Sequence, residues 1–164
     1  MDVQLFRVDD RLIHGQVVIG WAGPLKTRRI ILCDDEIYAN DWERELFCSC
    51  VPASLETKIF DIRHTTDFLV NSIAEKDRTI VLVKDPTAVI NIVNSGYKPG
   101  KINLGGMHHI DGRKKYLSYL YMTEKEMTEL EWLSEQGILI YCQDVPTGRR
   151  YEWADVIKDS KRSS

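Results

Sequence analysis

Apolar and polar positions along this chain alternate between two kinds of segment. Short, nearly continuous apolar runs predict strands at Val3–Val8, Arg29–Cys33, Thr57–Asp61, Arg78–Val83, Lys101–Leu104, Lys115–Met122 and Ile138–Cys142. Between them lie stretches with helix punctuation. A short helix through Gln16–Ala22 stops before Pro24, and Asn40 or Asp41 caps another running to about Val51, ahead of Pro52. Thr65 or Thr66 caps a helix reaching the region of Glu75. Asp85 followed by Pro86 pairs an N-cap acceptor with proline at the first helical position, and that helix ends near Ser95-Gly96. Thr123 with Glu126 forms a capping box for a helix to Gln136, stopped by Gly137, and Trp153–Lys158 predicts a short closing helix.

Continuous apolar strands separated by helices imply an α/β fold, a mostly parallel sheet covered on both faces. No repeat, linker or low-complexity tract interrupts residues 1–164, so one domain is expected. In such sheets ligands gather at the C-terminal ends of strands. That rule selects the loops Asp9–His14, Asp34–Tyr38, Lys84–Thr87 and Gly105–His109.

Composition narrows the function. A hydrophobic fraction of 43% and a charged fraction of 29% are those of an ordinary soluble protein. No apolar run approaches the length needed to span a bilayer, and the N-terminus lacks the pattern of a secretory signal, so a cytoplasmic location is expected. The net charge of -3 argues against an extended nucleic-acid surface. Cys33 and Cys142 sit in buried-strand patterns, while Cys48 and Cys50 fall on different sides of a helix, so neither a disulfide framework nor a metal pair is expected.

The most informative stretch is Arg7-Val8-Asp9-Asp10-Arg11-Leu12-Ile13-His14-Gly15-Gln16-Val17. A strand ends at Val8 and a helix opens near Gly15, which puts His14 at a helix N-terminus, where backbone amides favour an anion. Gly15 lets a ligand approach the backbone, Arg11 offers a planar cation suited to phosphate oxygens, and a neutral imidazole there is a fitting phosphoryl acceptor. Residue types alone leave a second reading open, in which His14 is a partly buried loop residue and Arg11 and Asp10 form a surface ion pair.

The segment closely resembles the active-site segment of the EIIB components of the mannose/fructose/sorbose branch of the bacterial phosphotransferase system. Similar residues continue through Trp21, Ile30–Leu32 with Asp35-Glu36, Asp85-Pro86-Thr87, Asn103-Leu104-Gly105-Gly106-Met107 and Tyr121–Lys125. The resemblance implies a seven-stranded, mostly parallel sheet with helices on both faces. It implies that His14 receives a phosphoryl group on Nδ1 from a phospho-histidine EIIA and donates it to a sugar imported through EIIC and EIID membrane subunits. Arg11 would bind the phosphoryl oxygens, and neither metal nor cofactor is required.

Asp10 is expected either to favour the protonated imidazole and fix its ring, or to orient Arg11 and the turn. Gly105-Gly106 either turn backbone amides toward the phosphoryl group or form a tight turn that only glycine tolerates. Thr87 is a candidate hydroxyl donor to phosphate, or simply the first turn of its helix; Lys84 adds charge nearby or is a surface lysine. His108-His109 point apart in an extended segment, which disfavours a metal and leaves a partner surface. Trp21, Trp42, Trp132 and Trp153 read as packing residues. A regulatory phosphoprotein using the same histidine without a sugar permease is the alternative function. A nucleotide-binding domain is disfavoured because no Gly-x-Gly-x-x-Gly or Walker loop follows the first strand.

Overall fold

Alternate residues of a buried strand face opposite sides of a sheet, and the chain uses both sides. In a computed structural model describing residues 2–72 and 76–162, strands β1 (Asp2–Asp9), β2 (Arg29–Cys33), β3 (Glu56–Phe60), β4 (Arg78–Val83), β5 (Lys101–Gly106), β8 (Leu139–Cys142) and β9 (Tyr151–Glu152) form one sheet. Their order is β3-β2-β4-β1-β5-β8-β9, parallel throughout except for β9. The parallel α/β sheet with helices on both faces is thus as expected, and so is the count of seven strands.

One member of that count differs. Lys115–Met122 is not a single strand but a hairpin, β6 (Lys114–Leu117) and β7 (Leu120–Met122), paired apart from the main sheet. The seventh strand is instead the two-residue β9, antiparallel to β8 through Tyr141–Glu152 and Cys142–Tyr151.

On one face Phe6, Val8, Ile31, Val81, Ile102 and Leu104 pack under helices α3 (Ile62–Asn71), α4 (Pro86–Asn94), α5 (Glu124–Glu135) and α6 (Trp153–Arg162). On the other, Leu5, Ile30, Leu32, Ile80 and Leu82 meet a π-helix (Gln16–Ala22) and the segment of α1 (Asp35–Ala39) and α2 (Asp41–Ser49). The caps explain most boundaries. Asn40 caps α2, Asp85 caps α4 with Pro86 next, and Thr123–Glu126 is a complete capping box. The cap of α3 is Asp61, accepting from the His64 amide, rather than Thr65 or Thr66, which are buried inside the helix. The expected end of that helix, at Glu75, lies outside the described residues. Trp21 and Trp153 are buried as packing residues, whereas Trp42 is 68% exposed. Cys33 and Cys142 are buried, and burial pushes both thiols up to about 12. Among the described residues no helix is long and apolar enough to cross a membrane.

Candidate functional site

Strand parity decides what stands at the end of β1. Phe6 and Val8 face the α3–α6 side, so Arg7 and Asp9 face the π-helix side, and both are fully buried. Two opposite charges in such a place need each other and further partners. Arg7 donates from Nη2 and Nε to Asp9 Oδ2 at 2.8 and 3.2 Å. Its remaining donors reach Asn103 Oδ1 at 2.6 Å and the carbonyls of Gln143 and Asp144 at 3.1 and 2.9 Å. The Trp21 ring covers the guanidinium at 5.5 Å, and its Nε1 donates to the Asp144 carbonyl.

The loop after Asp9 returns to the same carboxylate. Arg11 donates from its backbone N and Nε to Asp9 Oδ1 at 3.1 and 3.0 Å, and from Nη2 to Oδ2 at 3.1 Å. His14 Nε2 lies 3.3 Å from Oδ2. One oxygen therefore meets two guanidinium groups and an imidazole. Burial alone would raise the Asp9 pKa, but the hydrogen bonds from His14 and Arg11 and the charges of Arg7 and Arg11 hold it well below the usual carboxylate range. Arg11 and His14 keep 30% and 20% of their side chains exposed, and Arg7 and Asp9 none. The cluster thus carries one excess positive charge at its open side, where an anion would arrive.

A tight turn presents the histidine. The Leu12 amide donates to the Asp9 carbonyl at 2.9 Å, and Leu12 takes φ 57°, a left-handed conformation that costs a leucine roughly 1–2 kcal/mol. Buried Leu12 and Ile13 side chains hold the turn to the core. His14 precedes Gly15, the N-cap of the π-helix, but its own carbonyl takes the Val17 and Val18 amides at 3.0 Å each. The expected anion cradle of helix amides is reduced to that extent, because those two donors are already used. A Cβ at Gly15 would meet nothing within 4 Å, so the backbone beside His14 is open to a ligand.

The other expected residues are distributed unevenly. Asp10 is not beside the imidazole; Asp9 is. Asp10 Oδ2 accepts from the His108 amide at 2.8 Å and Arg113 Nη1 at 3.0 Å, and its Oδ1 lies 2.5 Å from His108 Nδ1. Gly105 and Gly106 are the last residues of β5 rather than a tight turn. A Cβ on Gly105 would fall 1.8 Å from Arg7 Cζ, and one on Gly106 would fall 2.8 Å from Arg11 Nη2. Their role is to leave room for the two guanidinium groups. Thr87 donates to Glu129 at 2.7 Å and, with Lys84, lines a separate cavity of about 370 Å³ beside Asp34, Asp35 and Asp85. His109 packs edge-on against Tyr121, away from the Asp10 contact of His108.

Residues missed by sequence reasoning are Arg7, Asp9, Asn103 and Arg113. An arginine between apolar Phe6 and Val8 in a strand, two positions before an aspartate, is the available signal for the first.

Comparison with known proteins identifies the family. Residues 3–164 match the family described as the PTS system sorbose subfamily IIB component. The N-acetylgalactosamine-specific phosphotransferase enzyme IIB component 1 of Escherichia coli is 27% identical, covering 94% of this chain and 98% of that protein. The mannose-specific EIIAB component of the same organism is 29% identical over 96% of this chain, which spans 49% of that relative. The IIBSor domain of the sorbose permease from Klebsiella pneumoniae has the same fold, with TM-score 0.89 at 24% identity over 98% of each chain. The resemblance carried by the histidine loop and the Gly-Gly-Met segment thus extends over nearly the whole chain, which belongs to the sorbose subfamily of phosphotransferase-system IIB components.

Proposed function

We propose that His14 Nδ1 accepts a phosphoryl group from a phospho-histidine EIIA protein and passes it to a sugar entering through EIIC and EIID membrane subunits, with the chain working in the cytoplasm. The carrying observation is Asp9 Oδ2 at 3.3 Å from His14 Nε2. An ionised carboxylate can only accept, so the proton resides on Nε2 and the lone pair on Nδ1. The hydrogen bonds from His14 and Arg11 and the charges of Arg7 and Arg11 keep Asp9 ionised.

The Nδ1 lone pair attacks phosphorus as the donor's N–P bond breaks and its electrons return to the donor imidazole. His14 then bears phosphorus on Nδ1 and hydrogen on Nε2, an imidazolium stabilised by Asp9. Arg11, at the open side, offsets charge on the phosphoryl oxygens, the contribution that a loose phosphoryl-transfer transition state most needs. When a sugar hydroxyl oxygen attacks phosphorus, its proton departs to solvent or to the permease. The Nδ1–P electrons return to a ring that has kept its Nε2 proton, so neutral imidazole leaves.

The test is labelling from phosphoenolpyruvate through Enzyme I, HPr and a matching EIIA. Acid-labile, alkali-stable label is expected on the wild type and none on His14→Ala. Label persisting on another residue of His14→Ala refutes the assignment.

A further inference from the structure

Asp9 and Asp10 are consecutive, yet their carboxylates are held by two unrelated clamps. Asp9 turns inward to Arg7, Arg11 and His14, and Asp10 turns outward to the loop between β5 and β6. The centre of the outer clamp is Arg113, whose side chain is only 7% exposed although it belongs to a loop. It donates from Nη1 to Asp10 Oδ2 at 3.0 Å and to the His108 carbonyl at 2.8 Å. On its other side Nη2 and Nε reach Glu126 Oε1 and Oε2 at 2.6 and 3.2 Å. Glu126 is itself fixed, since its Oε2 accepts from the Thr123 amide at 2.8 Å and closes the capping box of α5. A planar guanidinium is the side chain that can bridge two carboxylates in this way.

The geometry points to Arg113 as a positioning residue for phosphoryl transfer, anchoring the loop that presents His14 to the start of α5 through Asp10. The inference rests on the carrier reading. Its physical basis is that the backbone at Asp9-Asp10 is fixed from both sides. The Asp10 amide is also bonded to the Gly106 carbonyl at 3.0 Å, so the turn through Leu12 starts from one place. Loss of the outer clamp releases one side of that anchor, and the imidazole's aim at an incoming phosphorus degrades. Small displacements of reacting groups carry large rate effects. His108, bonded to Asp10 through both its ring and its amide, belongs to the same clamp.

The experiment measures the rate of His14 labelling against phospho-EIIA concentration for wild type, Arg113→Ala, Arg113→Lys, Asp10→Asn and the Arg113→Ala/Asp10→Asn pair. Arg113→Ala is expected to lower the rate at saturating phospho-EIIA by roughly tenfold to a hundredfold, with KM unchanged. Arg113→Lys, which retains the charge without the bridge, should recover part of the loss. The double variant should be no slower than the worse single one, because both remove one clamp. A rate equal to wild type in Arg113→Ala, a loss confined to KM, or multiplied losses in the double variant would each overturn the inference. If Arg113→Ala does not fold, the same rate and KM criteria apply to Arg113→Lys and Asp10→Asn. Wild type that takes no label on His14 would overturn the carrier reading itself.

Discussion

Gly105 lies directly beneath the guanidinium of Arg7, so close that a β-carbon there would stand 1.8 Å from Cζ, 2.1 Å from Nη1 and 2.3 Å from Nε. Arg7 has nowhere to retreat. It is fully buried, covered by Trp21, and bonded to Asp9, Asn103 and the Gln143 and Asp144 carbonyls. Gly105→Ala is therefore expected to break the buried Arg7–Asp9 pair, at a cost of about 3–5 kcal/mol. For a chain of this size that lowers the melting temperature by on the order of 10 °C. Thermal and urea unfolding check this, and an unchanged melting temperature would contradict the placement of the guanidinium.

The next glycine gives the opposite balance. A Cβ on Gly106 would sit 2.8 Å from Arg11 Nη2 and 3.0 Å from Asp9 Oδ1. Arg11 is partly exposed and can swing outward, so Gly106→Ala should cost only about 1 kcal/mol of stability. Its rate of phosphoryl uptake should fall much further, on the order of tenfold to a hundredfold, because Arg11 leaves the side of His14. A variant that unfolds like Gly105→Ala while retaining wild-type rate per folded molecule would reverse the assignment of the two glycines.

How much of this could be read beforehand depends on which physical signal each part leaves. β2 and β4 carry the uninterrupted apolar runs Ile30–Cys33 and Ile80–Val83 and pair with each other inside the sheet, so their runs are unmistakable. β9 has two residues, Tyr151 and Glu152, and draws its position from pairing with β8, which no local pattern encodes. The β6–β7 hairpin carries the local pattern of one strand because its connection, Ser118-Tyr119, contains no glycine, proline or asparagine to mark a turn. The histidine loop is legible as a segment, but of the two roles expected of Asp10, that of holding the imidazole falls to Asp9. Period-two alternation from Arg7 puts Asp9 on the arginine's face, whereas Asp10 lies beyond the last strand residue and takes its direction from Arg113, 103 positions along the chain and absent from any local pattern.

Asp9→Asn separates charge from shape. Asp9 Oδ2 faces donors from Arg7, Arg11 and His14, and Oδ1 faces the Arg11 amide and Nε. An amide places NH2 against donors on one side or the other, whichever way it is turned. The imidazole also loses the partner that holds its proton on Nε2. Phosphoryl uptake by His14 is expected to fall by roughly 10²-fold or more, and nitrogen-15 spectra of the ring should show a mixture of tautomers in place of a dominant Nε2–H form. Unchanged uptake with a single tautomer would remove Asp9 from the mechanism.

The same pair allows the electrostatic contribution of Asp9 to be followed with pH. Its folded pKa lies below the unfolded carboxylate value of about 3.9, so the stabilisation is fully present above that value and is lost as pH falls toward the folded pKa. Among the described residues Glu56 and Asp61 are held low as well, Glu56 by hydrogen bonding to Lys58 and Arg29, and Asp61 where His64 outweighs burial. These occur in both proteins and cancel in the comparison. Urea unfolding of wild type and Asp9→Asn should therefore give a stability difference that is flat from about pH 5 to 7. Below about pH 4 the difference should shrink, with a slope approaching ~1.4 kcal/mol per pH unit for the one proton involved. A difference that stays constant down to pH 3 would mean that Asp9 is no more acidic in the folded chain than in the unfolded one, contrary to its place between two arginines.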